Sequence, residues 1–381
     1  MHLIMIFALI CAFSYAYHVP VDQGYNVPSR DAYNDYIHPS APRDNVARRK
    51  TSKNQHSDRK RSADGSANNV FLLQKNNYYV TIYIGSPPQK FNVFLDTGSY
   101  ELVISNTGSG SSGGFNCGSS STCKVQNVPY GHVPWGEGYK VYDNVCLDPL
   151  GKYCTTQPVS FSVANGSYMF GDDGVWGVTI ASFWKDSTTS LYPNSQPLNQ
   201  ILQNKNCPRP TFSVLMNNYQ LPEWWSYCYA ESNYEQGIVY IPKADDETDS
   251  WDVEIQAIYY GTDTLLQGPY GNGEMDTGNN HMGLPTQAYN QFFDIIGGDT
   301  DQQTYGCDQG SLLDFIVTLN GVNFTIPVAN YIDPFSADGP ICYLRVDDAE
   351  TNTGLNSPLL SNYFNVFDPY NNRVGLAPLT F

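Results

Sequence analysis

Histidine is scarce in this chain. Six occur in 381 residues, and beyond residue 61 there are two, His132 and His281. No His-Glu-x-x-His motif occurs, and no glycine-rich phosphate cradle follows a strand-like run, so nothing signals a metal centre or a nucleotide cofactor. Basic residues are also few. Residues 1–61 hold nine of the 20 Lys and Arg but five of the 37 Asp and Glu, leaving 11 basic against 32 acidic residues in the remainder. So acidic a surface repels nucleic acid and anionic membranes, which excludes both as partners, and it suits a low working pH. Long apolar runs are missing after residue 16, so no later segment is expected to anchor the chain in a membrane.

What is present begins with a leader. Residues 1–16 form an apolar run ending Ser14-Tyr15-Ala16, the pattern of a cleaved signal peptide, though without a preceding Lys or Arg. Residues 17–61 are polar and poor in aliphatics, with basic clusters at Arg48-Arg49-Lys50 and Arg59-Lys60-Arg61; they read as a removable pro-segment, with the mature chain starting near Ser62. Cysteine fits the secretory route. Nine occur, Cys11 leaves with the leader, and the other eight suffice for four disulfides. Sequence alone leaves the connectivity open; proximity favours Cys117–Cys123, Cys146–Cys154, Cys207–Cys228 and Cys307–Cys342. The sequons at Asn165 and Asn323 are candidate glycosylation sites.

The chemistry concentrates in residues 91–105, where Asp96-Thr97-Gly98 sits between two apolar strand-like runs. The same tripeptide returns 180 residues later as Asp276-Thr277-Gly278, ahead of Met282–Leu284. Either copy alone reads as a turn. Together they read as one site built from two parts of the chain, because a carboxylate buried at a strand end needs a partner. Two carboxyl groups in hydrogen-bonding reach share one proton; the charged one can draw a proton from water while the neutral one donates to a carbonyl. Gly98 and Gly278 let backbone approach closely, Thr97 and Thr277 offer hydroxyls to hold the loops in register, and Ser99 and Asn279 could each donate to an outer carboxylate oxygen. His281, five residues beyond Asp276, is expected to be a surface or packing residue. Gly110–Gly114 matches Gly-x-Ser-x-Gly but has no strand before it and no helix after, so it is not a nucleophile elbow.

Strand-like alternation dominates from Val70 onward. Trp251, Val253, Ile255 and Ala257 alternate with acidic or amide residues, and Asn320-Gly321 between two apolar runs signals a hairpin. Residues 130–147 read as a hairpin with its tip at Trp135–Gly138 and its return strand from Tyr139. The clearest helix follows Pro285 and stops at Gly297-Gly298, with a shorter one expected over Pro197–Gln203. Few helices and many short strands predict an all-β protein in two similar lobes.

With these residues in view, the sequence resembles the pepsin-like aspartic peptidases from Tyr78 to the C-terminus. The landmarks are Phe94-Leu-Asp-Thr-Gly-Ser99, Cys117–Cys123, Asp173-Gly-Val-Trp-Gly177, Phe212-Ser-Val, Met275-Asp-Thr-Gly278, Cys307–Cys342, Val366-Phe-Asp and Val374-Gly-Leu-Ala-Pro378. The resemblance implies a bilobal β fold with a central cleft for an extended peptide, Asp96 and Asp276 as catalytic dyad, sensitivity to pepstatin-type inhibitors, no cofactor, and a monomer. It implies a flap made by Trp135, Gly136, Gly138 and Tyr139. The chain departs from the pattern at several points. Trp135 stands where a flap tyrosine is usual, with Tyr130 and Tyr139 as alternatives; Val103 replaces a bracing tryptophan; Asn279-Asn280 replace Ser or Thr; and Asn356 occupies an expected glycine position, which asparagine tolerates through its access to left-handed backbone.

The expected organisation is a signal peptide at 1–16, a pro-segment at 17–61, an N-terminal lobe at 62–240 and a C-terminal lobe at 241–381. The expected activity is acidic-pH endopeptidase cleavage by a secreted, lysosomal or vacuolar zymogen. The alternative is a peptide-binding pseudoenzyme on the same fold.

Overall fold

The computed structural model describes residues 67–69, 71–74, 77–107, 113–132, 136–165, 173–180, 197–205, 207–216, 224–228, 237–244, 250–301, 303–306, 312–332 and 341–379. The expected leader, the pro-segment and its cleavage point, Gly110–Ser112, Trp135 and Cys307 lie outside them.

The first half is a sheet of short alternating strands. In chain order these are β1 (Asn77–Ile84), β2 (Gln89–Asp96), β3 (Leu102–Ser105), β4 (Lys124–His132), β5 (Gly136–Asp143), β6 (Val159–Ala164) and β7 (Gly174–Gly177). They pair in the order β1-β2-β7-β3-β6-β5-β4. In β2 the period-two pattern is explicit: Phe91, Val93 and Leu95 are buried in the main core. Phe94 faces the other way, into a smaller cluster with Tyr79, Val103, Ala164 and Val175. β7 is threaded between β2 and β3, parallel to the first, with Gly177 opposite Asp96, and antiparallel to the second.

A short helix, α1 (Pro197–Leu202), leads to β8 (Phe212–Leu215), β9 (Trp224–Tyr227) and β10 (Val239–Pro242). The second half then repeats the plan with β11 (Asp252–Tyr260), β12 (Asp263–Glu274), β13 (Met282–Leu284), α2 (Thr286–Ile296), β14 (Phe315–Leu319), β15 (Val322–Ile326), β16 (Val346–Asp348) and β17 (Thr353–Gly354). These strands pair in the order β15-β14-β11-β12-β17-β13-β16. β17 is parallel to β12, with Glu274 opposite Gly354, and antiparallel to β13. It stands to the second Asp-Thr-Gly loop as β7 stands to the first.

Local chemistry sets the boundaries. α2 begins after Pro285 and ends on Gly297, whose left-handed φ of 68° closes the last turn. Asn320 and Gly321 both carry positive φ, 46° and 74°, as a two-residue hairpin turn requires. The chain finishes with helix α3 (Asn356–Leu360) and the hairpin β18 (Tyr363–Asp368) and β19 (Arg373–Pro378). A six-stranded sheet joins the halves, β8 pairing antiparallel with β18 and β10 with β19. Its core stacks Phe212 on Phe367 at 4.8 Å between ring centroids, with Trp251 edge-on at 5.1 Å to Phe367. The result is the bilobal all-β fold.

The hairpin of β4 and β5 turns earlier than the sequence suggests. Its return strand starts at Gly136, opposite His132, rather than at Tyr139. Gly138 lies within the strand opposite Tyr130, where a Cβ would run into the Val163 carbonyl of β6, so glycine there answers to sheet packing. Disulfides join Cys117 to Cys123, Cys146 to Cys154 and Cys207 to Cys228. Cys342 is also disulfide-bonded.

Candidate active site

β2 and β12 each deliver an Asp-Thr-Gly loop to the junction of the two halves. The threonines bind the loops to each other. Thr97 Oγ1 donates to Met275 O at 2.7 Å and Thr277 Oγ1 donates to Leu95 O at 2.7 Å. In return Thr97 N donates to Thr277 Oγ1 at 3.0 Å and Thr277 N to Thr97 Oγ1 at 2.9 Å. Both side chains are fully buried. With each bond worth about 1 kcal/mol net and each orphaned partner costing about 1–3, the four together fix the separation of the two acids.

That separation sets the carboxyl groups of Asp96 and Asp276 side by side on one shared donor. Gly98 N donates to Asp96 Oδ1 at 2.9 Å and to Asp276 Oδ1 at 3.1 Å, so one backbone amide serves both acids. Gly278 N donates to Asp276 Oδ1 at 2.6 Å. A Cβ on Gly98 would overlap the Asp276 carboxyl, and one on Gly278 the Asp96 carboxyl. These two positions require glycine for room.

The remaining contacts are unequal. Ser99 Oγ donates to Asp96 Oδ2 at 2.5 Å. The expected counterpart from Asn279 is replaced by another bond: its Oδ1 accepts from His281 N at 2.9 Å. Burial, the charge of Asp96 and then that of Glu274 push the pKa of Asp276 well above the ordinary carboxyl value, against a lowering by the Gly278 N–H. Its surroundings thus favour the neutral form of Asp276.

Asn356 holds the Asp276 loop from behind. It is buried, with a left-handed φ of 46°, and its Oδ1 accepts from Asp276 N at 3.3 Å while Nδ2 donates to His281 O at 2.8 Å. The equivalent place in the first half is Gly177, where a Cβ would meet the backbone of Ser99 and Tyr100. The sequence showed that asparagine tolerates such a backbone; that its side chain would be used to tie down the acid was not foreseen. Leu355 N to Glu274 O at 2.9 Å and Ser357 N to Asn279 O at 3.0 Å complete the support.

His281 is half-exposed and its Nδ1 lies 2.9 Å from Asp347 Oδ1, so it faces away from the dyad. Tyr139, Gly136 and Gly138 lie on β5, with Tyr130 on the paired strand. β5 is tied to the loop after Asp96 by a nearly buried ion pair, Lys140 Nζ to Glu101 Oε1 at 3.1 Å, with Ser162 Oγ donating to the same oxygen at 2.6 Å. Of the sequon asparagines, both exposed, Asn165 Oδ1 accepts from Asn106 at 2.6 Å and Asn323 Oδ1 from Thr318 at 2.7 Å. Among the described residues no cluster of side chains suited to a metal is found, and no helix is long and apolar enough to cross a membrane.

Comparison with known proteins agrees with this geometry. Residues 77–379 match the family model described as eukaryotic aspartyl protease. The chain is 26% identical over 326 residues to pepsin A of Gallus gallus, covering 80% of this chain and 84% of that protein. It is 27% identical over 326 residues to pepsin A of Canis lupus familiaris, covering 79% and 81%. It is 26% identical over 327 residues to gastricsin of Mus musculus, covering 79% and 80%.

Proposed function

The chain belongs to the eukaryotic aspartyl protease family, and from that membership we propose that it is an active aspartic endopeptidase with Asp96 and Asp276 as its catalytic dyad. The observation that carries the reading is the pair of carboxyl groups that share the Gly98 N–H and are held together by the reciprocal threonine bonds. A water between the acids gives a proton to the Asp96 carboxylate as its oxygen attacks the scissile carbonyl carbon. The proton on Asp276 passes to the carbonyl oxygen, giving a neutral tetrahedral diol. Collapse then returns a diol proton to Asp276 and sends the Asp96 proton to the leaving nitrogen as the C–N bond breaks. No covalent enzyme intermediate and no metal enter this scheme.

Support for the remaining description comes from the sequence. Residues 1–16 act as a signal peptide and 17–61 as a basic pro-segment that covers an acidic cleft until it is removed near Ser62. The lobes are 62–240 and 241–381, and the product is a monomer acting outside the cell or in a lysosome or vacuole. The hairpin of β4 and β5 is the flap that closes over an extended peptide, with Trp135 taken from the sequence as the residue in place of the usual flap tyrosine. Retention of both acids with their glycines weighs against the pseudoenzyme alternative.

The test is digestion of an unfolded protein such as casein at acidic pH after acid treatment. Inhibition by pepstatin and loss on Asp96→Asn are expected; activity that survives both would overturn the dyad assignment.

A further inference from the structure

Period-two alternation at the end of β12 places two side chains on opposite faces. Met275 is fully buried in the core, so Glu274 lies on the face opposite to it, and it is only partly buried. Glu274 stands directly opposite Asp252 of β11, so the two carboxylates project on the same side of the sheet. It is also near enough to the dyad for the charges of Asp96 and Asp276 to act on it. The corresponding residue of the first half, two before Asp96, is Phe94. The repeated architecture therefore carries an aromatic ring on one flank of the dyad and a carboxyl group on the other.

We propose that Glu274 is a specificity residue of the peptidase site, selecting a substrate that carries lysine or arginine at a position flanking the scissile bond. The proposal rests on the peptidase reading given above. Asp252 stands directly across the sheet from Glu274, and the charges of Asp96 and Asp276 also act on it, while the Ser250 hydroxyl favours its charged form. A carboxylate so surrounded and half out of water is stabilised most by a cation, and a peptide lying across the dyad delivers its flanking side chains to this place. The net charge of −17 draws basic peptides toward the same cleft.

The selection depends on pH in a defined direction. Burial, then Asp252, then Asp96 raise the Glu274 pKa to about 7. A bound cation favours the ionised form, so binding of a basic peptide releases a proton, and its advantage over a neutral peptide grows as pH rises toward that value.

The experiment uses acid-treated protein and non-cleavable peptides with a reduced scissile bond, identical except for Lys or Leu at each of the two flanking positions. Calorimetry at about pH 5 and about pH 7 gives the ratio of affinities. The expected result is a preference for Lys at one position of about tenfold, the order of one charge-assisted hydrogen bond, larger at the higher pH and abolished by Glu274→Gln. Because each ratio is internal to one protein, a general loss of affinity in the variant does not imitate the effect. Tight binding without preference, or a preference that Glu274→Gln retains, overturns the inference and leaves the peptidase reading standing. Failure of every peptide to bind overturns both.

Discussion

Thr97 and Thr277 each accept the other's backbone N–H and donate to the carbonyl preceding the other's acid, so every bond of the set crosses between the two halves. Neither acid is positioned by its own half alone.

Replacing Thr277 by valine keeps the shape and removes two of those bonds, leaving Leu95 O and Thr97 N buried without partners. A loss of about 2–4 kcal/mol in unfolding free energy is expected from urea denaturation. Thr97→Val should cost a similar amount. The double variant should cost less than the sum, because the two side chains share one network; strict additivity would contradict the shared network.

Asp96→Asn and Asp276→Asn should each lower kcat/KM by about 10²–10⁴-fold, the range spanned by loss of one positioned acid or base. They should differ in stability. The Asp276 pKa is raised on folding, so that residue lends stability at low pH which is lost as pH rises above the unfolded carboxyl value. Asp276→Asn is therefore expected to unfold at higher urea than the wild type at neutral pH. An unchanged or lower midpoint there would contradict the assignment of the retained proton.

Glu274 adds a second pH term of the same sign. Its pKa rises from 4.5 to about 7 on folding, so the stability it contributes is complete below 4.5 and is lost as pH climbs through 7. After discounting for its partial exposure, the change is of order 1–2 kcal/mol. Urea midpoints measured at several pH values across that window should fall in the wild type and fall less in Glu274→Gln.

Asn356 separates two physical effects. Asn356→Ala loses both side-chain bonds and forces a Cβ-bearing residue without polar atoms into left-handed backbone; Asn356→Gly loses the bonds but is at ease in that conformation. Glycine is expected to be the milder change by about 1 kcal/mol in denaturant titrations. Both should reduce kcat more than they raise KM, since the bond to Asp276 N positions an acid rather than a substrate. Restoration of wild-type kcat by glycine would show that only the backbone conformation matters.

Much of this was legible because it is encoded locally. The Asn320-Gly321 turn, the helix between Pro285 and Gly297 and the alternation of Val253, Ile255 and Ala257 each follow from neighbours in the chain. The two Asp-Thr-Gly loops were legible because the same motif repeats. The threading of β7 beside β2 and of β17 beside β12 was not, since parallel pairing joins segments about 80 residues apart and leaves no periodic trace. The hairpin of β4 and β5 misled because Gly136 and Gly138, which suggest a turn, lie in its return strand, Gly138 against the Val163 carbonyl. Asn279 misled for a related reason: its capacity to donate was visible, but its use by His281 N was not.

The shared six-stranded sheet has a consequence for biosynthesis. β18 and β19 follow both Asp-Thr-Gly loops in the chain, yet β18 supplies a hydrogen-bonding neighbour of β8 and β19 that of β10. A nascent chain that has already emerged with Asp96 and Asp276 still offers two open strand edges at the seam between its halves. Translation order thus leaves this sheet open until the closing hairpin has docked, so a ribosome stalled before Tyr363 holds a polypeptide with both Asp-Thr-Gly loops and an unfinished seam.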